Sequence, residues 1–417
     1  MDRMIVQGGS TLQGEVSVSG SKNAALPILF SSLLAPGDHV FENVPQLHDI
    51  SSTGLLLESL GCKVNQEHDI YKINVPEKLN IEAHYDLVRK MRASFLCMGP
   101  LLARMGTAVV SQPGGCAIGS RPIDLHLDAF RALGAEIENK EGYVHAHSSA
   151  LKGNTFLFET VTVGGTENLL MAAVLAQGKT IIENAAKEPE VVDLADYLIK
   201  MGAKIKGHGT SIIEIEGVTR LKPAVHRIIP DRIEAGTLLL AGAITKSELT
   251  VKNCIPEHLE SFLLKLKESG LQVSTQKNSM TIHPSPTWKA VDITTAPYPL
   301  FPTDLQAQFM SLMTLAEGTS IVAETIFENR FMHVGELIRL GADINPKSRV
   351  AVIRGRKNCL TGAPVMATDL RASACLILAG LAAQGETTVS RIYHLDRGYE
   401  KLELKLSALG AKIKRVK

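Results

Sequence analysis

The stretch Met201-Gly202-Ala203-Lys204-Ile205 decides the fold, because close copies of it recur along the whole chain. Each copy reads as the end of a helix, then a glycine, a small residue and the start of a short strand. The other copies are Leu60-Gly61-Cys62-Lys63-Val64, Leu133-Gly134-Ala135-Glu136-Ile137, Ser269-Gly270-Leu271-Gln272-Val273, Leu340-Gly341-Ala342-Asp343-Ile344 and Leu409-Gly410-Ala411-Lys412-Ile413. Successive glycines lie 68 to 73 residues apart, so the sequence predicts six repeats of about 70 residues.

A second pattern keeps the same period. A nearly all-apolar helix, a turn and a strand are predicted over 169–184, and the segments 312–322 and 376–389 match them. Helices that are apolar on every side must be buried on every side, whereas the segments 49–60 and 259–269 are amphipathic. Each repeat then reads as strand, buried helix, strand, amphipathic helix and paired strands. The pattern predicts an α/β fold with sheets outside and helices inside.

Composition narrows the class of protein. A chain of 417 residues predicts two or more domains, and a net charge of +1 gives no general basic field for nucleic acid or membrane. The first residues lack the apolar core of a signal peptide, and the apolar run 24–34 is too short to span a bilayer. The six cysteines form no Cys-x-x-Cys pair, and the histidines show no metal-binding spacing. We expect a cytoplasmic protein with reduced thiols, no metal and no cofactor.

The segment 111–125 carries the clearest candidate for chemistry. Its first part has one proline and three glycines, so it predicts a loop. Pro122 suits the first turn of a helix, with Leu127 and Phe130 on its apolar face. Cys116 therefore precedes a helix N-terminus beside Arg121, which suits an acid, a nucleophile or a redox thiol. The alternative is that Cys116 is only a small residue in a turn.

The predicted buried helices begin with charged and polar residues. These are Lys22-Asn23, Arg92, Glu167-Asn168, Asp231-Arg232, Asp304 and Asp369 with Arg371. Helix N-termini with lysine and arginine form an anion site. Asp304 and Asp369 are alternatively helix caps, but the set as a whole favours a ligand cleft. The arginines Arg330 and Arg397 suit phosphate or carboxylate, or are ordinary surface residues. His126 and His333 are expected to be packed or capping residues.

Several motifs resemble those of one family, the enolpyruvyl transferases that act on UDP-N-acetylglucosamine. The motifs are Gly20-Ser21-Lys22-Asn23-Ala24-Ala25, Met91-Arg92-Ala93-Ser94, the run from Gln112 to His126, Phe301-Pro302-Thr303-Asp304, Glu328-Asn329-Arg330-Phe331, Asp369-Leu370-Arg371-Ala372 and Asp396-Arg397-Gly398-Tyr399. The resemblance covers the whole chain. It implies two inside-out α/β barrel domains, residues 22–229 with the Cys116 loop and residues 1–21 plus 230–417, with the active site in the cleft between them.

The resemblance also implies a reaction. Enolpyruvyl would pass from phosphoenolpyruvate to the 3′-hydroxyl of UDP-N-acetylglucosamine, with release of phosphate, as the first committed step of peptidoglycan synthesis. Asp304 would act as general base, and Cys116 would protonate C3 to give a tetrahedral adduct. Lys22 and Arg397 would complete the catalytic set by stabilising charge. The epoxide inhibitor fosfomycin would alkylate Cys116.

The substrate-binding residues follow from the same resemblance. Phosphoenolpyruvate would contact Lys22, Asn23, Arg121, Arg371 and Arg397. UDP-N-acetylglucosamine would contact Arg92, Arg121, Pro122, Ile123, Asp124, Leu125, Thr160, Val161, Thr162, Val163, Asp304 and Ile326, where 160–163 reads as a short strand. Arg330, Asp369 and Glu328 would support the site. His48 departs from the family, which often has lysine or arginine near the phosphate there.

Three alternatives compete with this interpretation. The related shikimate-pathway transferase is disfavoured by the cysteine loop. A cysteine-nucleophile hydrolase needs a base beside Cys116, and His126 is the histidine close in sequence. A catalytically silent binding protein is disfavoured because the expected catalytic residues are all present.

Overall fold

The computed structural model of the protein describes residues 2–113 and 123–417. Within them the helices, in chain order, are α1 (Lys22–Ser31), α2 (His48–Ser59), α3 (Tyr85–Val88), α4 (Met98–Met105), α5 (Asp124–Ala132), α6 (Val163–Ala173), α7 (Pro189–Lys200), α8 (Arg232–Ile244), α9 (Glu260–Glu268), α10 (Gln306–Met313), α11 (Val334–Arg339), α12 (Leu370–Ala382) and α13 (Leu402–Ala408). Short 3-10 helices cover Ser32–Leu34, Arg92–Cys97, Pro256–Leu259, Thr303–Leu305 and Ile392–Arg397.

The strands of the described residues are short. They are β1 (Arg3–Gln7), β2 (Gly14–Ser17), β3 (Gly37–Glu42), β4 (Lys63–Glu67), β5 (Ile70–Val75), β6 (Glu82–Ala83), β7 (Thr107–Ser111), β8 (Glu136–Lys140), β9 (Tyr143–His147), β10 (Thr155–Leu157), β11 (Lys179–Glu183), β12 (Lys204–Lys206), β13 (Ile212–Glu216), β14 (Val225–Arg227), β15 (Leu249–Lys252), β16 (Val273–Gln276), β17 (Ser279–Ile282), β18 (Ile293–Thr294), β19 (Gly318–Ala323), β20 (Asp343–Lys347), β21 (Val350–Gly355), β22 (Pro364–Met366), β23 (Glu386–Ser390) and β24 (Lys412–Val416).

The chain divides into two compact units. Among the described residues, one unit holds 20–113 with 123–229, and its four-stranded sheets run β14-β3-β5-β4, β6-β7-β9-β8 and β10-β11-β13-β12. The other holds 2–19 with 230–417, and its sheets run β2-β15-β17-β16, β18-β19-β21-β20 and β22-β23-β1-β24. Each sheet begins with a parallel pair, such as β10 and β11, and continues with antiparallel pairs. The predicted order of elements in a repeat is confirmed.

The apolar helices fill the inside of each unit. In the second unit α8, α10 and α12 contact one another, and nearly every residue from Arg371 to Leu381 in α12 is buried. In the first unit α6 contacts α1 and α4. Each unit has its own hydrophobic cluster. The expected α/β architecture, with helices enclosed by sheets, is therefore confirmed.

The repeated glycines end the amphipathic helices as the sequence predicts. The glycines at 61, 134, 202, 270, 341 and 410 all have φ between +89° and +109°. The residue after each glycine donates its N–H to a carbonyl near the end of the helix, as Ala203 does to Leu198 at 2.9 Å. This is the Schellman arrangement, and it explains why a glycine recurs at this position in every repeat.

The buried helices α1, α8 and α12 begin where the sequence predicts, but the start of α6 differs from the prediction. The helix expected from 169 begins at Val163, so Glu167 and Asn168 lie in its second turn rather than its first. The segment 160–163 is not a strand, because β10 ends at Leu157 and Thr162 caps α6 by accepting a hydrogen bond from the Gly165 N–H at 3.2 Å. Asp369 is a helix cap, since its carboxylate accepts hydrogen bonds from the N–H groups of Arg371 and Ala372.

Candidate active site

Asp304 lies in the 3-10 turn that leads into the buried helix α10. Its Oδ1 accepts a hydrogen bond from Arg330 Nη2 at 2.9 Å, and its Oδ2 accepts one from Arg371 Nη2 at 2.6 Å. Both arginine side chains are about 5% exposed, whereas a quarter of the Asp304 side chain is open to solvent. Two buried cations therefore favour the ionised carboxylate.

Arg371 owes its position to the first turn of α12. Asp369 caps this helix by accepting the Arg371 N–H at 2.8 Å, which fixes the main chain from which the guanidinium extends. Burial lowers the pKa of Arg371, but the charges of Asp304, Tyr399 and Asp231 and the hydrogen bond to Asp304 together outweigh it and raise the pKa above its usual range. Arg371 therefore stays charged although it is buried.

Arg330 is held by its own loop. Its carbonyl accepts a hydrogen bond from His333 Nδ1 at 3.1 Å, and its guanidinium lies 5.3 Å from the centre of the Phe327 ring. Burial lowers the pKa of His333 to about 4, with Asp369 acting in the opposite direction. His333 is thus a neutral, packed residue, as expected from the sequence.

A buried carboxylate that the sequence did not reveal organises the neighbouring segment. Glu324 is 1% exposed, and its Oε1 accepts hydrogen bonds from the N–H groups of Ile326 and Phe327. Its Oε2 accepts one from Thr303 Oγ1 at 2.9 Å. Glu324 therefore ties the residue before Asp304 to Ile326, a predicted substrate contact.

The other predicted residues of this unit include Arg397, which is half-buried, and Glu328, which is exposed. Arg397 ends the 3-10 turn Ile392–Arg397 and is half-buried, and its neighbour Asp396 binds Arg415 through both carboxylate oxygens. Glu328 lies at the surface, where it pairs with Arg349 at 3.1 Å. The supporting role of Glu328 therefore stays a prediction.

In the first unit, Lys22 and Asn23 begin the buried helix α1, which Ser21 caps. Lys22 Nζ lies 3.0 Å from Asp49 Oδ2, and the two side chains are 14% and 4% exposed. Asp49 was not predicted as a site residue, although it is an acidic residue in the first turn of α2. His48 is exposed and immediately precedes Asp49.

His126 packs beside Arg92 and is not placed to act as a strong base. Its Nδ1 lies 3.2 Å from Asn168 Nδ2, which donates the hydrogen bond, and its ring meets Phe95 edge-on. Removal from water and, to a smaller extent, the charge of Arg92 lower the pKa of His126 to about 3. The packed role expected for His126 is confirmed, which weakens the hydrolase alternative.

The remaining predicted contacts lie at helix starts. Ile123 immediately precedes α5, Asp124 begins it, and Ile123 and Leu125 pack against the hydrophobic cluster of the unit. Thr160 and Val161 lead into the Thr162 cap of α6, whose first residue is Val163. Cys116, Arg121 and Pro122 lie outside the described residues.

Glu167 is a further buried acidic residue of the first unit. Glu167 in α6 is 3% exposed, and burial, followed by the charges of Glu190 and Glu188, raises its pKa well above the usual range. Burial therefore favours the protonated form of Glu167. Among residues 2–113 and 123–417, no three histidine, cysteine, aspartate or glutamate side chains are grouped to hold a metal ion. No helix of the described ranges is long and apolar enough to cross a membrane.

Comparison with known proteins gives the class. The family model of EPSP synthase (3-phosphoshikimate 1-carboxyvinyltransferase) matches residues 6–406. The crystal structure of the enolpyruvyl transferase NikO from Streptomyces tendae matches with a TM-score of 0.90 and 25% identity, covering 100% of this chain and 99% of that one. EPSP synthase from Acinetobacter baumannii shares the fold, with a TM-score of 0.76 and 17% identity over 100% of both chains. The class is that of the enolpyruvyl transferases.

Curated relatives narrow the class further. The UDP-N-acetylglucosamine 1-carboxyvinyltransferase of Bdellovibrio bacteriovorus is 70% identical, and the match covers 99% of this chain and 100% of the relative. The enzyme of the same name from Nitratidesulfovibrio vulgaris (strain DP4) is 58% identical over 100% of this chain and 99% of its own. The chain belongs to the family of the UDP-N-acetylglucosamine 1-carboxyvinyltransferases, so the resemblance found in the sequence is confirmed.

Proposed function

We propose that this enzyme transfers the enolpyruvyl group of phosphoenolpyruvate to the 3′-hydroxyl of UDP-N-acetylglucosamine and releases phosphate. Membership of the transferase family supports the reaction. The structural observation that carries the proposal is the Asp304 carboxylate, which is held by Arg330 and Arg371 and is a quarter exposed. The product would enter peptidoglycan synthesis, and through it cell shape and division. Both substrates are cytoplasmic metabolites, which supports a cytoplasmic enzyme.

The proposed chemistry is an addition followed by an elimination. In the addition, the sugar oxygen attacks C2 of phosphoenolpyruvate while its proton passes to Asp304, and the Cys116 thiol gives a proton to C3. The product of this step is a tetrahedral adduct that still carries the phosphate. In the elimination, C3 loses a proton, the C2–O bond to phosphate breaks, and the C2–C3 double bond forms again.

The cationic residues would bind and stabilise the small substrate. Lys22, Asn23, Arg121, Arg371 and Arg397 would contact the phosphate and carboxylate of phosphoenolpyruvate. The Lys22–Asp49 pair supports this role, because it fixes the direction of the ammonium group at the start of α1.

Residues of both units would contact the nucleotide sugar. Arg92, residues 121–125, residues 160–163, Asp304 and Ile326 would contact it, with Arg330, Asp369 and Glu328 in support. We further propose that residues 22–229 form one domain and residues 1–21 plus 230–417 the other. The Cys116 thiol, which lies outside the described residues, would have to reach C3 of phosphoenolpyruvate.

A phosphate-release assay tests the reaction. Phosphate should appear only when phosphoenolpyruvate and UDP-N-acetylglucosamine are both present. Omission of either substrate provides the control. Phosphate release from phosphoenolpyruvate alone would contradict a transferase.

The role of Cys116 has its own test. Cys116→Asp should retain turnover, because a carboxylic acid can replace a proton donor but not a thiol nucleophile. Fosfomycin should add its mass to the Cys116 peptide, and the UDP-sugar should increase the yield. An adduct on another cysteine, or none, would contradict the assignment.

A further inference from the structure

Behind Asp304, a chain of buried hydrogen bonds leads to the hydroxyl group of Tyr399. We propose that Tyr399 is a positioning residue for the transfer reaction, because it holds Asp304 through both Gln308 and Arg371. Tyr399 is 2% exposed. This inference rests on the proposed function through the role of Asp304.

Counting hydrogens fixes the direction of the chain. Thr237 Oγ1 donates to the Ile233 carbonyl at 2.8 Å, so its single hydrogen is used. The Tyr399 hydroxyl, 2.9 Å from Thr237 Oγ1, must therefore be the donor in that pair. The oxygen of Tyr399 is then free to accept a hydrogen bond from Gln308 Nε2 at 3.0 Å.

Gln308 carries the constraint to the main chain of Asp304. Its Nε2 also donates to the Asp304 carbonyl at 2.9 Å. An amide group has two hydrogens in one plane. One reaches the Asp304 carbonyl, and the other reaches the hydroxyl pair of Tyr399 and Thr237, whose Oγ1 lies 3.2 Å from Nε2, so this pair sets the direction of the first. The side chain of Gln308 is fully buried, which leaves no water to replace these partners.

The ring of Tyr399 acts on the carboxylate of Asp304 from the other side. The guanidinium carbon of Arg371 lies 5.6 Å from the ring centre, and Arg371 Nη2 donates to Asp304 Oδ2 at 2.6 Å. A tyrosine face attracts a cation at this distance. Tyr399 thus supports both the main chain and the side chain of Asp304.

The same residue links Asp304 to the segment that carries Arg397. Gly398 and Tyr399 both donate their N–H groups to the Leu395 carbonyl at 3.0 Å. A Cβ at Gly398 would lie 2.6 Å from Leu370 Cδ2, so this segment packs closely against the residue that precedes Arg371. Tyr399 therefore links the position of Asp304 to that of Arg397, and both have proposed roles in the reaction.

The substitution Tyr399→Phe removes the hydroxyl and keeps the ring. We expect kcat to fall roughly five- to tenfold, the effect of one buried hydrogen bond, with KM for both substrates changed less than about twofold. Tyr197→Phe is the matched control, because Tyr197 is also buried and its hydroxyl bonds His39 Nδ1 at 2.5 Å in the other unit. The control should lose thermal stability and keep its kcat.

A second pair of variants tests the chain without touching Tyr399. Thr237→Val removes the acceptor and should lower kcat as Tyr399→Phe does, whereas Thr237→Ser keeps the hydroxyl and should restore it. The double variant Tyr399→Phe/Thr237→Val should be little worse than either single variant. A wild-type kcat in Tyr399→Phe, with an active wild-type enzyme, would overturn the positioning role alone. An inactive wild-type enzyme would overturn the proposed function and this inference together.

Discussion

Asp304 is the shared counter-ion of two buried arginines. Arg330 and Arg371 are nearly inaccessible to water, and each places one Nη2 on a different oxygen of the same carboxylate. A buried guanidinium without a counter-charge is strongly unfavourable, so the three groups depend on one another. The carboxylate is therefore both the proposed base and the counter-ion that allows two arginines to be buried.

The substitution Asp304→Asn separates these two roles. Asparagine accepts no proton, so kcat should fall by about 10²- to 10⁴-fold. It also leaves buried cations without a negative partner, so the free energy of unfolding should fall by about 3 to 5 kcal/mol. Steady-state kinetics and urea unfolding measure the two effects.

Asp343 provides the control for this substitution. It pairs with Arg354 at 3.3 Å, but both side chains are more than a third exposed. Asp343→Asn should change the free energy of unfolding by less than about 1 kcal/mol and leave kcat unchanged. An equal loss of kcat in both variants would contradict a specific role for Asp304.

His126 predicts a pH dependence of stability. Its pKa in the folded protein is about 3, below its ordinary value of 6.5. Between these values the unfolded chain binds a proton that the folded protein does not, so stability falls as the pH drops from 6.5 towards 3. His126→Gln should reduce this slope by up to about 1.4 kcal/mol per pH unit.

Urea unfolding at several pH values between 4 and 7 measures the slope. The replacement of His147, an exposed residue, by glutamine is the control and should leave it unchanged. A slope in His126→Gln equal to that of the wild type would show that His126 takes up its proton in the folded protein.

At the scale of the element, the repeated glycine is the feature that the sequence predicted best. A left-handed residue after a helix is a local requirement, so it leaves a local trace in the sequence. The apolar run from Leu169 predicted a start of α6 that is six residues too late, whereas Asp304 and Asp369 correctly marked the turn before α10 and the start of α12. Some polar residues of α10 are fully buried, namely Gln306, Gln308 and Ser311. Their residue types therefore did not indicate a buried helix.

Gly202 tests the requirement at the end of α7. It has φ +109°, and an added Cβ would meet no atom within 4 Å, so conformational strain alone opposes a side chain. Gly202→Ala should lower the free energy of unfolding by about 1 to 2 kcal/mol. Gly202→Asn should cost less, because asparagine tolerates this region.

Gly335 in α11 is the matched control. Its surroundings are equally open and its φ is not positive. Gly335→Ala should therefore raise the free energy of unfolding by about 0.5 to 1 kcal/mol. A gain of stability in Gly202→Ala would contradict the helix-ending role.

At the scale of the whole molecule, the sequence predicted the class of fold but not the exchange of strands. β2 precedes α1 in the chain yet pairs with β15, and β14 precedes α8 yet pairs with β3. β1, at the start of the chain, pairs with both β23 and β24 near its end. These pairings join residues more than a hundred positions apart, and no local pattern encodes them.

The candidate site was predicted unevenly for a similar reason. Charged residues in recognisable motifs, such as Lys22, Asp304 and Arg371, were found from the sequence. Asp49, Glu324 and Tyr399 were not selected, because their importance lies in what they contact. Asp49 becomes visible only through Lys22, and Tyr399 only through Gln308 and Arg371.

The mass of the nucleotide sugar after incubation with phosphoenolpyruvate tests the central claim most directly. We predict that UDP-N-acetylglucosamine gains one enolpyruvyl group for each phosphate released, and that Asp304→Asn slows both together. An unchanged UDP-sugar, or enolpyruvyl transferred to shikimate 3-phosphate instead, would contradict the account.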